Sequence, residues 1–187
     1  MTPLQTLPIH RLIGAVDAWI KGDLHNTNPR ARVILADLRR GLGQTMQYRA
    51  WPHLLAIHPT ALDHENEGAI WLTVAGGMAL LMKGQGRGMG NLGETMRRIA
   101  LGGNRREADM ATFDGRFRRL LSCLSAEDVC RQLTDIFRAA NQKRVPINFE
   151  RLARDLLHWN DPNHKVRLQW AKAFWATAEA PERGDVD

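Results

Sequence analysis

The sequence has 187 residues, 44% hydrophobic and 25% charged, the balance of an ordinary soluble globular protein. Two cysteines exclude a disulfide framework, and the longest mainly apolar run, residues 69–82, is shorter than the roughly 20 residues a membrane span needs. The formal net charge is +6 and only five of the 26 basic residues are lysine; arginine forks match phosphate oxygens bidentately, so the bias suits phosphate recognition, although a basic surface also serves solubility alone.

In chain order, Ile9, Leu12, Ile13, Val16 and Ile20 recur at helical spacing and predict a helix over 8–21, with Pro8 suited to its first turn. After a polar loop, Asn28-Pro29 reads as an N-cap with proline at N1. The helix it opens turns Ala31, Ile34, Leu35 and Leu38 inward and stops at Gly41. A third, shorter helix is expected to carry Tyr48, Trp51, Leu54, Leu55 and His58, with Pro52 in its first turn or kinking it. Residues 67–83 predict a fourth helix, apolar nearly all round and therefore central to a bundle. Residues 84–93, GQGRGMGNLG, read as a flexible connection and the best domain boundary.

Asn91-Leu92-Gly93 leads into a short helix through Ile99, and residues 102–106 form a second loop. Met110, Phe113, Phe117, Leu120, Leu121 and Leu124 then share one helical face. Ser125 to Asp128 resembles a capping box, opening a helix with Val129, Leu133, Ile136, Phe137 and Ala140 on one side. Proline breaks the loop 141–146. Asn148 caps a helix bearing Phe149, Leu152, Leu156 and Trp159, and Asp161-Pro162 separates it from a last one with Val166, Trp170, Ala173, Phe174 and Thr177 aligned. No strand pattern and no repeat appears. The expected fold is all-α: two small helical bundles, over 1–83 and 94–178, joined by the Gly-rich linker 84–93 and followed by a disordered acidic tail, 179–187. Without a leader-like start or a membrane span, the chain is expected to be cytoplasmic.

Gly88 to Gly93 fits the dinucleotide pattern GxGxxG, but that pattern needs a preceding strand, and here an apolar helix precedes it. A flexible loop is the better reading, and no cofactor is expected. His53, His58, Asp63, His64, Glu65 and Glu67 match no compact metal-ligand spacing, so no metal is expected. There is no GxSxG elbow, no P-loop and no paired acid and base, so no catalytic residue is assigned. Cys123 and Cys130 fall on apolar faces, as do Trp51, Trp159 and Trp170, while Trp175 lies beside one.

The arginines carry more information. Residues 84–178 hold 17 basic and 10 acidic residues, against 8 and 6 before them; the last nine residues are net acidic. At 100° per residue, Arg116 and Arg119 flank one side of the Phe113–Phe117–Leu120 face and Arg118 the other. Arg131 and Arg138 share an outward face. Arg97-Arg98 and Arg105-Arg106 bracket the loop upstream, Lys143-Arg144 close the turn after Arg138, and Arg32 and Arg39 form a similar pair in the first half. The bland alternative is a solvated face with local ion pairs. It fits Arg131 beside Glu127 and Arg151 beside Asp155, and fits Arg105, Arg106, Arg116, Arg119 and Arg144 less well, since acids are sparser around them.

The second half resembles the CasB family, the small subunit of the type I-E CRISPR Cascade complex. The resemblance runs over residues 91–175 and rests on Asn91-Leu92-Gly93, Ile147-Asn148-Phe149, Leu152 to Leu157 with Trp159, and Val166-Arg167 with Trp170, Ala171 and Phe174. Residues 8–83 match only in helical layout and in the Arg-rich second helix. At Thr134-Asp135 the chain departs from relatives that often carry arginine. The resemblance implies a subunit without catalytic activity. It would be present in two copies against the backbone and large subunits, steadying the guide RNA–target DNA heteroduplex and the displaced strand without base readout. Its basic helix maps onto Arg116 first, then onto Arg119, Arg138 and Arg144. Two other readings stay open: a scaffold contacting protein partners only, and a free-standing helix-turn-helix protein using the helices around Asp161-Pro162.

Overall fold

The computed structural model describes residues 3–81, 88–102 and 107–176. Among these the chain is all helical: α1 (Pro3–Leu24), α2 (Ala31–Gly41), a 3-10 segment (Gln44–Arg49), α3 (Trp51–Ile57), α4 (Glu65–Leu80), α5 (Leu92–Leu101), α6 (Glu107–Leu121), α7 (Ala126–Lys143), α8 (Phe149–Leu157) and α9 (Lys165–Phe174). Arg105, Arg106 and the acidic tail 179–187 lie outside the described residues, as do residues 84–87 of the Gly-rich connection.

Side-chain caps open three of the described helices. Asn91 accepts the Glu94 N–H and opens α5; Asn148 accepts the Arg151 N–H and opens α8. Ser125 takes the Asp128 N–H while the Asp128 carboxylate reaches back to the Ser125 N–H, a complete capping box with Asp where Glu or Gln is usual. The Asn28-Pro29 expectation needs correction. α2 begins two residues later, with Arg30 at the N-cap position and no side-chain cap; Asn28 Oδ1 instead accepts the Arg30 N–H and shapes the turn before the helix.

α4 is the hub. Every residue from Ile70 to Ala79 is buried. One side of the helix packs on α1 and α2, and the other on α7 and α8. A side chain at Gly77 would press into the rings of Phe137 and Phe149, 2.6 and 2.7 Å from the new Cβ, so only glycine lets α7 and α8 come this close. The sequence puts α4 at the centre of the first bundle; it stands at the centre of the whole molecule. Within the second half α5 packs on α6, α7 and α9, closed by the buried rings of Phe117, Phe174, Trp159 and Trp170. Gly88, from the Gly-rich connection, is itself buried, with the Ile147–Asn148 backbone where a Cβ would go.

Four expected core positions are exposed. Residues 44–57 form a 3-10 segment and a seven-residue helix rather than one helix, and this short stretch anchors itself mainly through Ala50 and Leu54, with Ile57 partly buried against the core. Tyr48, Trp51 and Leu55 therefore face outward, 56%, 43% and 38% exposed. Leu124 is also exposed, because α6 ends at Leu121 and the Cys123 carbonyl is pinned inward by the Trp159 and Arg167 side chains.

Candidate nucleic-acid interface

The structure divides the sequence-derived cations by what holds them. Arg32 bonds Asp23 (Nε to Oδ1, 3.0 Å), Arg98 pairs with Glu94 one turn back, and Arg138 reaches Asp135 at 3.1 Å. Arg39 donates to the Leu35 carbonyl at 3.1 Å. These contacts are exposed or nearly so and worth little, but they match the solvated-face alternative. Asp135 spends its charge on Arg138. Arg131 with Glu127 and Asp128, and Arg151 with Asp155, are paired as the spacing suggests. Arg97 is half-buried on α5.

Arg116, Arg119 and Arg144 are different. All three are exposed, and none has an acidic partner within 4.0 Å among the described residues. Arg116 and Arg119 lie one turn apart on α6. Lys143 ends α7 and Arg144 follows it. Side chains from the two helices converge on Phe113, whose ring is nearly buried: the Arg116 guanidinium lies 5.4 Å from its centroid and the Lys143 ammonium 5.8 Å. One aromatic ring thus gathers cations from residues 27 positions apart in the chain. Gly102, the last described residue before Arg105 and Arg106, lies against the Lys143 stem, with Cδ 2.8 Å from where its Cβ would be. The ring's role was not legible in the sequence, which marks Phe113 only as a core residue.

Arg144 occupies the left-handed region (φ 55°, ψ 36°) at the end of α7, where its N–H bonds the Asn141 carbonyl and the next N–H reaches Ala140. Glycine is the usual residue in such a cap. The opposite flank of α6 is structural. Arg118 pairs with Asp114 at 2.6 Å and lies over Trp175, whose indole N–H donates to the same carboxylate at 2.7 Å. Hydrogen bonds from Arg118 first, and from Trp175, hold the Asp114 carboxyl below its ordinary value. Arg167 is structural as well: it lies over Trp159 and donates to the Cys123 carbonyl at 2.8 Å.

Other chemistry finds little support. Cys123 and Cys130 are free and buried, and burial pushes the Cys130 thiol up to about 12, so at neutral pH it is an inert core group. Among the described residues no group of three or more His, Cys, Asp or Glu is placed to hold a metal ion. His53 pairs with Asp37, and His58 bonds Thr60. No helix among them is long and apolar enough to cross a membrane.

The family described as CRISPR-associated protein Cse2 matches residues 34–175. Solved structures of similar fold include a CRISPR-associated protein of the Cse2 family from Thermus thermophilus, at 22% identity over 95% of this chain and 100% of that one, with a TM-score of 0.66. CasB from Thermobifida fusca is 21% identical over 93% of this chain and 98% of its own, TM-score 0.63, and CasB from Thermus thermophilus gives 22% and 0.61. No curated protein matches. The helical layout, the residues 91–175 that resemble CasB and the family match over most of the chain agree, and the protein belongs to the CRISPR-associated Cse2 family.

Proposed function

We propose that this chain is a non-catalytic small subunit of a type I-E CRISPR surveillance complex. In this reading it holds the guide RNA–target DNA heteroduplex and the displaced strand by their sugar–phosphate chains. The observation that supports it best is the convergence of Arg116 and Lys143 on Phe113, with Arg119 and Arg144 exposed beside them and lacking acidic partners among the described residues. Arg116, Arg119 and Arg144 can meet phosphates without first breaking an internal ion pair, and they read no bases, which suits a subunit whose complex takes its sequence from a guide. Arg138, Arg98, Arg97, Arg32 and Arg39 serve as a secondary, weaker field. The partners are the backbone and large subunits and a second copy of the chain, in the cytoplasm.

The test is crosslinking in the assembled complex. Photoreactive residues at Arg119 and Arg144 are expected to crosslink to the displaced strand or the heteroduplex once target DNA is bound. Crosslinks to protein subunits alone would favour a scaffold role and refute this reading.

A further inference from the structure

Three features outside the α6–α7 cluster remain unexplained: an open cleft of about 570 Å³ beside Asn91 and Asn148, a cleft of about 670 Å³ between the α2–α4 region and α7, and the exposed aromatic stretch at the lip of the second. The first is lined by capping groups already satisfied. The third carries an inference.

Tyr48 and Trp51 lie three residues apart where the 3-10 segment runs into α3 through a helical Ala50, so both fall on one outward stripe. The Trp51 ring stacks on no other aromatic and its N–H has no acceptor among the described residues. The Tyr48 ring stacks on no other aromatic among the described residues and has the Arg49 guanidinium 5.9 Å from its centroid. Around them the charge is unbalanced. Arg40, Arg49 and His53 all point at one carboxylate, Asp37, at 3.6, 3.8 and 3.3 Å. The two arginine distances are too long for hydrogen bonds, so both guanidinium groups are held loosely and one acid faces more cation than it can neutralise.

We infer that Tyr48 and Trp51, with Arg40 and Arg49, form a second nucleic-acid site: a stacking platform for the bases of a single strand, its backbone held by the two arginines. Exposed rings beside loosely held arginines are what sequence-tolerant single-strand binding uses, since every base has a π-face. A single strand answers both features at once, its bases covering the rings and its phosphates meeting the excess cation. The inference rests on the reading that the chain binds nucleic acid, and it adds a strand preference that the α6–α7 cluster, which meets phosphates alone, does not provide.

The experiment titrates the full chain with three labelled probes: a short oligothymidylate, an abasic strand of equal length and a duplex. Wild type is expected to prefer oligothymidylate over the abasic strand. Tyr48→Ala with Trp51→Ala is expected to weaken oligothymidylate binding about ten-fold or more and to leave the abasic strand and duplex unchanged. Trp51→Phe should keep most of the affinity, and Trp51→Leu, apolar but without a π-face, should lose it. Unchanged oligothymidylate binding in the double variant, or an equal loss on all three probes, overturns the inference. So does an altered oligomeric state with binding intact, which would mark the stripe as a protein contact. Loss of binding in Arg116→Ala with Arg144→Ala but not in the aromatic variant would leave the α6–α7 reading standing and this one refuted.

Discussion

Arg144 sits in a backbone conformation that favours glycine, and it is exposed, so nothing in packing requires an arginine there. The left-handed region costs a non-glycine residue about 1 kcal/mol. Arg144→Gly is therefore expected to raise stability in urea unfolding by about 1 kcal/mol while weakening nucleic-acid binding; a variant that binds as wild type would show the arginine to be incidental. Asp155 shows the opposite case. Spacing identifies it as a surface partner of Arg151, yet it is 4% exposed and accepts from both Trp170 Nε1 at 2.7 Å and Arg151 Nε at 2.8 Å, tying α8 to α9. Burial raises its pKa, against the pull of the Trp170 bond and Arg151. The folded chain therefore keeps a proton on Asp155 to higher pH than the unfolded one does. The stability this contributes is complete below the unfolded value and lost as pH rises through the folded value. Relative to Asp155→Asn, wild type should gain stability as pH falls from neutral toward the ordinary carboxylate range. Asp155→Leu, which strands the indole N–H, should cost about 2 kcal/mol at neutral pH.

At the scale of elements, the fourth helix carries the most weight. Gly77 is the point where α4 meets α7 and α8, and Gly77→Ala has to move two aromatic rings. It is expected to destabilise the chain by about 1–3 kcal/mol in urea unfolding, although alanine is the better helix former; a stabilised variant would mean that the helices separate readily. What could be read in advance here follows physical range. Caps at Ser125 and Asn148 and the buried run of α4 depend on residues within one turn, and all were legible. Ion pairs at i, i+3 or i+4, such as Arg131 with Glu127, were legible for the same reason. The 3-10 segment was not, because a helical stripe drawn through Tyr48, Trp51 and Leu55 assumes one continuous helix where the chain makes a 3-10 segment and a seven-residue helix. Nor was the meeting of Arg116 and Lys143 on Phe113, which depends on how α6 lies across the end of α7. Arg116, Arg119 and Arg144 were singled out by the scarcity of nearby acids, and Tyr48 and Trp51 were misplaced into the core.

For the whole molecule, one contiguous core runs from Ile9 through α4 to Phe174. We propose that residues 1–83 and 94–178 are two bundles in layout that unfold as one unit, since α4 contributes its buried face to both; urea unfolding followed by circular dichroism and by tryptophan fluorescence should give coincident transitions, and separate ones would show independent domains. On that frame three exposed arginines that lack acidic partners among the described residues, Arg116, Arg119 and Arg144, lie on α6 and at the end of α7, while Arg11 and Arg30 are exposed without such partners in the first half. The most direct measurement is the salt dependence of duplex binding by the intact chain and by Arg116→Ala/Arg119→Ala/Arg144→Ala. The slope of log K against log salt should flatten by about two to three in the triple variant, close to one per phosphate contact removed, with the fold intact by circular dichroism. An unchanged slope, with affinity retained, would contradict the assignment of these arginines to the sugar–phosphate backbone.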